Sequence, residues 1–148
     1  RDYENQLIAK ATSGWLAIDV ETKRPKTIEG IDADLFNQLR EKHALNQLPV
    51  KLFPVKEGEQ FEVKTGFFDI VLNKHVTSTR YIDWMMDTFS VEFHQNHYPK
   101  KLSINFLKET MPSETILITR NSSDEKTFHF EGFNKTSNTF AFRGYIEF

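Results

Sequence analysis

At 148 residues the chain can hold one domain with a real core, or one domain plus a piece of another. It contains no cysteine, which excludes disulfides, thiolate metal sites and a cysteine nucleophile, and it fits a reducing, cytoplasmic setting. The net charge of −2 argues against bulk attraction to nucleic acid, and no apolar run approaches the roughly 20 residues of a membrane span.

The chain begins at Arg1 and runs at once into strand-like sequence, without a visible signal peptide. A fragment whose N-terminal portion is missing is expected. In "NQLIAKATSGWLAIDV", residues 5–20, Ile8, Leu16, Ile18 and Val20 share one parity, interrupted at Gly14. That pattern predicts one long strand, bulged at Ser13-Gly14. "ETKRPK" reads as a polar turn. "DADLFNQLREKHAL" places Leu35, Phe36 and Leu39 behind acidic residues and predicts a short amphipathic helix with an aspartate cap. "NQLPVKLFPVKEG" carries two prolines and is extended without being a central strand.

After Gly58 the pattern becomes regular. Phe61, Val63 and Phe67 alternate, and residues 69–77 form a loop. From Ser78 to about Phe93 the period changes to that of a helix. Tyr81, Ile82, Met85, Met86 and Phe89 form its apolar stripe, Trp84 widens it, and Thr77 or Ser78 can cap it. Four strands follow: "KLSINFLK", "ETILITR", "KTFHFEGF" and "TFAFRGYIEF", separated by polar turns. The order predicts an α+β unit in which a curved antiparallel sheet wraps around one apolar helix. The expected division is 1–30 as the last strand and turn of a preceding unit, 31–58 as a linker with a short helix, and 59–148 as the sheet-and-helix domain.

Three stretches resemble one family. "DIVLNKHVTSTRYIDW" is similar to the catalytic stretch of acyl-acyl carrier protein thioesterases, of the form D-x-D-x-N-x-H-V-N followed by a helix with Tyr and Trp. "AKATSGWLAIDVETKRP" resembles the family's A-T-S-x-W segment and its following turn, and "LSINFLKET" the strand that brings a glutamate to the site. The resemblance implies a double hot dog enzyme of bacterial type, represented here by its C-terminal part with most of the first hot dog domain absent. It implies hydrolysis of fatty acyl-acyl carrier protein thioesters in fatty acid biosynthesis, with no cofactor and with acyl carrier protein as partner. Residue by residue, His75, Asn73 and Glu109 match the family's catalytic positions. Asp69 matches its first aspartate, and Thr110 falls where plant members have a cysteine. Val71 replaces the second aspartate, and Thr77 stands where the family usually has asparagine.

The residues point to the same places on their own chemistry. Thioester hydrolysis needs a positioned water, a base, and donors for the developing oxyanion. A helix start near Ser78 offers unpaired N–H groups, His75 precedes it, and Asn73 can donate and accept. Glu109 or His75 can serve as base. Tyr81, Trp84 and Met85, with Met86, are candidates for an acyl pocket. His94 and His97 lack a third ligand at a recognisable spacing, so no metal is expected. Lys23, Arg24 and Lys26, with Lys100 and Lys101, are solvated charges that can also attract an acidic carrier. Unpaired sheet surface offers a route to a homo-oligomer. Two alternatives stand beside the main reading: an acyl-CoA thioesterase on the same fold, and a catalytically impaired acyl-binding hot dog protein.

Overall fold

The computed structural model describes residues 3–22, 24–27 and 44–148, which fall into two compact units, Arg1–Val50 and Lys51–Phe148. Lys23 and the helix expected over residues 32–45 lie largely outside the described residues.

In the first unit the expected strand over residues 5–20 joins no ladder among the described residues. Only Ile18 pairs, across a turn, with Pro25. Its side chains are mostly exposed, Trp15 by 89%. An alternating pattern makes a strand only where a neighbouring strand takes its backbone bonds. The polar turn does form: Asp19 Oδ1 accepts from the Thr22 N–H at 2.8 Å, from the Thr22 hydroxyl at 3.0 Å and from the Glu21 N–H at 3.1 Å. These bonds, the Thr22 N–H first, hold the Asp19 carboxyl below its ordinary pKa.

The second unit carries an antiparallel sheet of five strands: β1 Glu59–Lys64, β2 Lys101–Phe106, β3 Thr115–Ser122, β4 Thr127–Asn134 and β5 Thr139–Glu147, in the order β1-β3-β4-β5-β2. Helix α1, Ser78–Met86, packs on one face. Tyr81, Trp84 and Met85 from α1 meet Ile116, Ile118, Phe130, Phe142 and Ile146 from the sheet. The strand period puts these sheet residues on one face. Gly144 lets Met85 rest directly on the backbone, because a β-carbon there would collide with the Met85 sulfur. Five strands around one apolar helix is the hot dog arrangement the sequence predicts.

Three boundaries differ from the sequence expectation. The helix is split. Thr88 Oγ1 donates to the Met85 carbonyl at 2.7 Å, and Ser90 caps a second helix, α2 (Val91–Asn96), by accepting from the Phe93 N–H at 3.2 Å. Arg120 donates to the carbonyl and hydroxyl of Thr88 and lies over the Phe89 ring at 4.5 Å, which holds the break in place. Phe67 leaves the β1 face for a short 3₁₀ turn, Phe67–Asp69, and is exposed. Residues 51–58, expected within the linker, belong to the second unit. The Leu52 N–H donates to Asn105 Oδ1 at 2.7 Å, and the Glu57 carbonyl accepts from Asn121 at 2.9 Å. Among the described residues no helix is long and apolar enough to cross a membrane.

Candidate active site

The loop between β1 and α1 is irregular, and its bonds fix it at both ends. At its start Thr65 is buried: its N–H donates to the Glu114 carbonyl at 2.9 Å and its hydroxyl to the Met111 carbonyl at 2.9 Å. Asp69 then closes the 3₁₀ turn. Its carboxylate accepts from the Gly66 N–H at 2.6 Å and from Arg80 Nε at 2.6 Å, and its carbonyl accepts from the Thr77 N–H at 2.9 Å. Between these points Ile70 pairs with Val76, and the Val71 N–H donates to the His75 carbonyl at 3.0 Å. Lys74, with φ of 64°, completes the turn at the tip. The Val76 N–H donates to the Thr110 carbonyl at 2.8 Å. That bond ties the residue after His75 to the residue after Glu109.

The two lines meet at a cleft of about 200 Å³. One wall is His75, Val76, Ser78 and Tyr81, and the other is residues 106–109, with Phe106 and Leu107 apolar and Lys108 and Glu109 charged. His75 is half-buried, with Nδ1 3.1 Å from the Val76 carbonyl oxygen. A carbonyl only accepts, so Nδ1 is the donor in this contact, and in the neutral imidazole that leaves Nε2 as the acceptor. Thr77 sits at the N-cap of α1 in extended conformation, but its side chain makes no capping bond and lies 3.5 Å from the Thr79 hydroxyl. Among the described residues no side chain caps α1, and the Arg80 N–H is taken by the Thr77 carbonyl at 3.1 Å, which leaves the N–H groups of Ser78 and Thr79 at the positive end of the helix. Tyr81 is buried, and that burial pushes its phenol above the ordinary value, while the hydroxyl and N–H of neighbouring Thr110 pull it down. The phenol thus remains a donor through the neutral range. Thr110 itself is fully buried beside Tyr81.

The family model for the acyl-ACP thioesterase C-terminal domain matches residues 53–144, well over half of the chain. The chain belongs to this family. Among solved structures it is similar to an acyl-ACP thioesterase from Bacteroides thetaiotaomicron, with 18% identity and a TM-score of 0.64 over 88% of this chain and 52% of that one. It is similar to the 12:0-ACP thioesterase from Umbellularia californica, with 14% identity and a TM-score of 0.68, again over 88% and 52%. A Staphylococcus aureus protein solved in complex with CoA aligns at 15% identity and a TM-score of 0.52, over 64% of this chain and 80% of that one. These likenesses establish the fold, and the chain spans about half the length of the two thioesterases. No curated protein matches it in sequence.

Within this acyl-ACP thioesterase C-terminal domain, the residues singled out by sequence separate into three groups. His75, Glu109 and Tyr81 line the cleft. Asn73 does not: it is exposed near the loop tip, next to the fully exposed Leu72. Val71 is 38% exposed and does not line the cleft. Asp69 is buried with both carboxylate oxygens engaged, and Thr110 lies behind the cleft wall. Trp84 and Met85, expected to line an acyl pocket, are core residues at 4% and 0% exposure, because α1 turns them onto the sheet. His94 and His97 bond the Met86 and Phe93 carbonyls at 3.0 and 2.9 Å. Phe106, Leu107 and Lys108 were not anticipated at the site. Their only signal in the sequence is an apolar pair just before the glutamate.

Proposed function

We propose that the protein hydrolyses fatty acyl thioesters carried on acyl carrier protein, releasing free fatty acid and the carrier. The observation that carries this reading is the meeting of His75 and Glu109 at one cleft, beside a helix start with no side-chain cap, within the acyl-ACP thioesterase C-terminal family. In this reading Glu109 orients a water, and His75 Nε2 takes its proton as the oxygen attacks the thioester carbon. The carbonyl oxygen becomes negative beside the free N–H groups of Ser78 and Thr79. Collapse breaks the C–S bond, and the imidazolium returns the proton to the leaving thiolate. Tyr81, Phe106 and Leu107 give the acyl chain an apolar wall, at roughly 0.8 kcal/mol per buried CH₂. Lys100 and Lys101, both exposed, suit a carrier of opposite charge.

Val71 and the exposed Asn73 favour a second reading, an acyl-binding protein that has lost turnover. One experiment separates the two. Purified protein is assayed on matched acyl-carrier and acyl-CoA thioesters beside His75→Ala and Glu109→Ala. Turnover on the carrier substrate, lowered about a hundredfold or more by each variant, supports the thioesterase. A preference for CoA moves the substrate to acyl-CoA. Binding without turnover leaves the second reading.

A further inference from the structure

We propose that Asp69 and Arg80 are positioning residues for His75: a buried carboxylate at the root of the loop, clamped by a guanidinium from α1, fixes the imidazole in the cleft. The proposal rests on the thioesterase reading only for its kinetic arm.

Asp69 engages three groups, the Gly66 N–H, Arg80 Nε and the Thr77 N–H. Those bonds bracket residues 70–76 from both sides, and His75 lies inside the bracket. Inside the bracket the side chains of residues 71–74 are exposed, and the bonds are backbone ones: Val71 N–H to the His75 carbonyl at 3.0 Å, Lys74 N–H to the Val71 carbonyl at 2.8 Å and Val76 N–H to the Thr110 carbonyl at 2.8 Å. Arg80 is held in turn by Asp83 on the same helix, with Nη1 3.0 Å from Oδ2. The guanidinium is therefore fixed one turn into α1 before it reaches the loop. A buried carboxylate is tolerated only when it is paired, and a paired one fixes geometry more than it adds stability. Neither Asp69 nor Arg80 lines the cleft. Asp69 lies outside the cleft lining, so the carboxylate is not placed as a second base there. Its reach is to the root of the loop, and the loop presents His75.

The test compares Arg80→Met, Arg80→Lys and Asp69→Asn with the unmodified protein. Lys135→Met is the control, because it removes an exposed ion pair to Glu62 at 2.6 Å without touching the loop. The first readout is the ¹⁵N NMR shift of the His75 imidazole, which needs no substrate. The unmodified protein and Lys135→Met show the Nδ1–H tautomer, and Arg80→Met shows averaging between tautomers. The second readout is steady-state hydrolysis. Arg80→Met and Asp69→Asn lower kcat about tenfold or more with KM little changed. Arg80→Lys recovers part of the loss, since lysine can reach one carboxylate but cannot bridge two. If the unmodified protein turns over no thioester, the functional reading fails, and the NMR arm still decides the proposal. An unshifted tautomer in Arg80→Met overturns it. So does a kcat loss that only tracks the fraction unfolded in urea.

Discussion

Two buried carboxylates in this molecule pair with arginines at the same contact distance and in different surroundings. Asp69–Arg80 and Glu131–Arg143 both close at 2.6 Å, and the carboxylate side chains are 8% and 7% exposed. Glu131 and Arg143 face each other across β4 and β5, on the side of the sheet away from α1. Arg143 Nη1 also donates to the Leu52 carbonyl at 3.3 Å, so that pair pins the segment leading into β1. Ladder bonds hold each of its partners before the ion pair forms. Asp69 and Arg80 belong to a loop and a helix, with no shared ladder between them. An ion pair set in a rigid ladder joins partners that are already placed, while one that spans an irregular loop decides where the loop points.

Four substitutions test that contrast, from the largest effect on stability to the smallest. Arg143→Met strands a buried Glu131 and costs about 3 kcal/mol in urea unfolding, with kcat of the folded fraction unchanged. A fall in kcat at intact stability would erase the distinction between the pairs. Asp69→Ala leaves the Gly66 N–H unpaired, while Arg80 keeps Asp83, and it costs about 2 kcal/mol. Here the kinetic loss exceeds what the stability loss predicts. Asn105→Ala removes the acceptor for the Leu52 N–H at about 1 kcal/mol, and amide exchange at Leu52 rises without a kinetic effect. Asn73→Ala changes stability by less than about 0.5 kcal/mol, as for an exposed site. Its kcat shows whether the amide reaches the cleft once substrate is bound.

The sheet was legible because periodicity is local. Phe61, Ile104, Phe128, Phe130 and Phe142 alternate within single strands and mark the face that packs on one helix, while the order β1-β3-β4-β5-β2 is set by pairing between strands distant in sequence. The break at Thr88 was not legible, because the apolar stripe continues through Phe89 and Phe93 while a side-chain bond and Arg120 end the helix. At the site, resemblance drew attention to His75 and Glu109. The bond that ties the residues after them, from Val76 to the Thr110 carbonyl, joins residues 34 positions apart and leaves no trace in either stretch. Asp69 stands out in the sequence only as a match to the family's first aspartate. Its partner Arg80 lies eleven positions away, across a change from loop to helix. Trp84 and Met85 fall on a stripe that reads as core first and acyl pocket second, because periodicity identifies an apolar face without saying what it touches, and the structure places both in the core.

The contact between Met85 and Gly144 has a chemical consequence. The sulfur lies where even a β-carbon would not fit, and Met85 is 0% exposed. An oxygen added to that sulfur has no place in the closed fold, so peroxide reaches Met85 only when α1 lifts from the sheet. Met111, 45% exposed, reacts without any opening. The ratio of the two sulfoxides over time is therefore a clock for the helix leaving its seat.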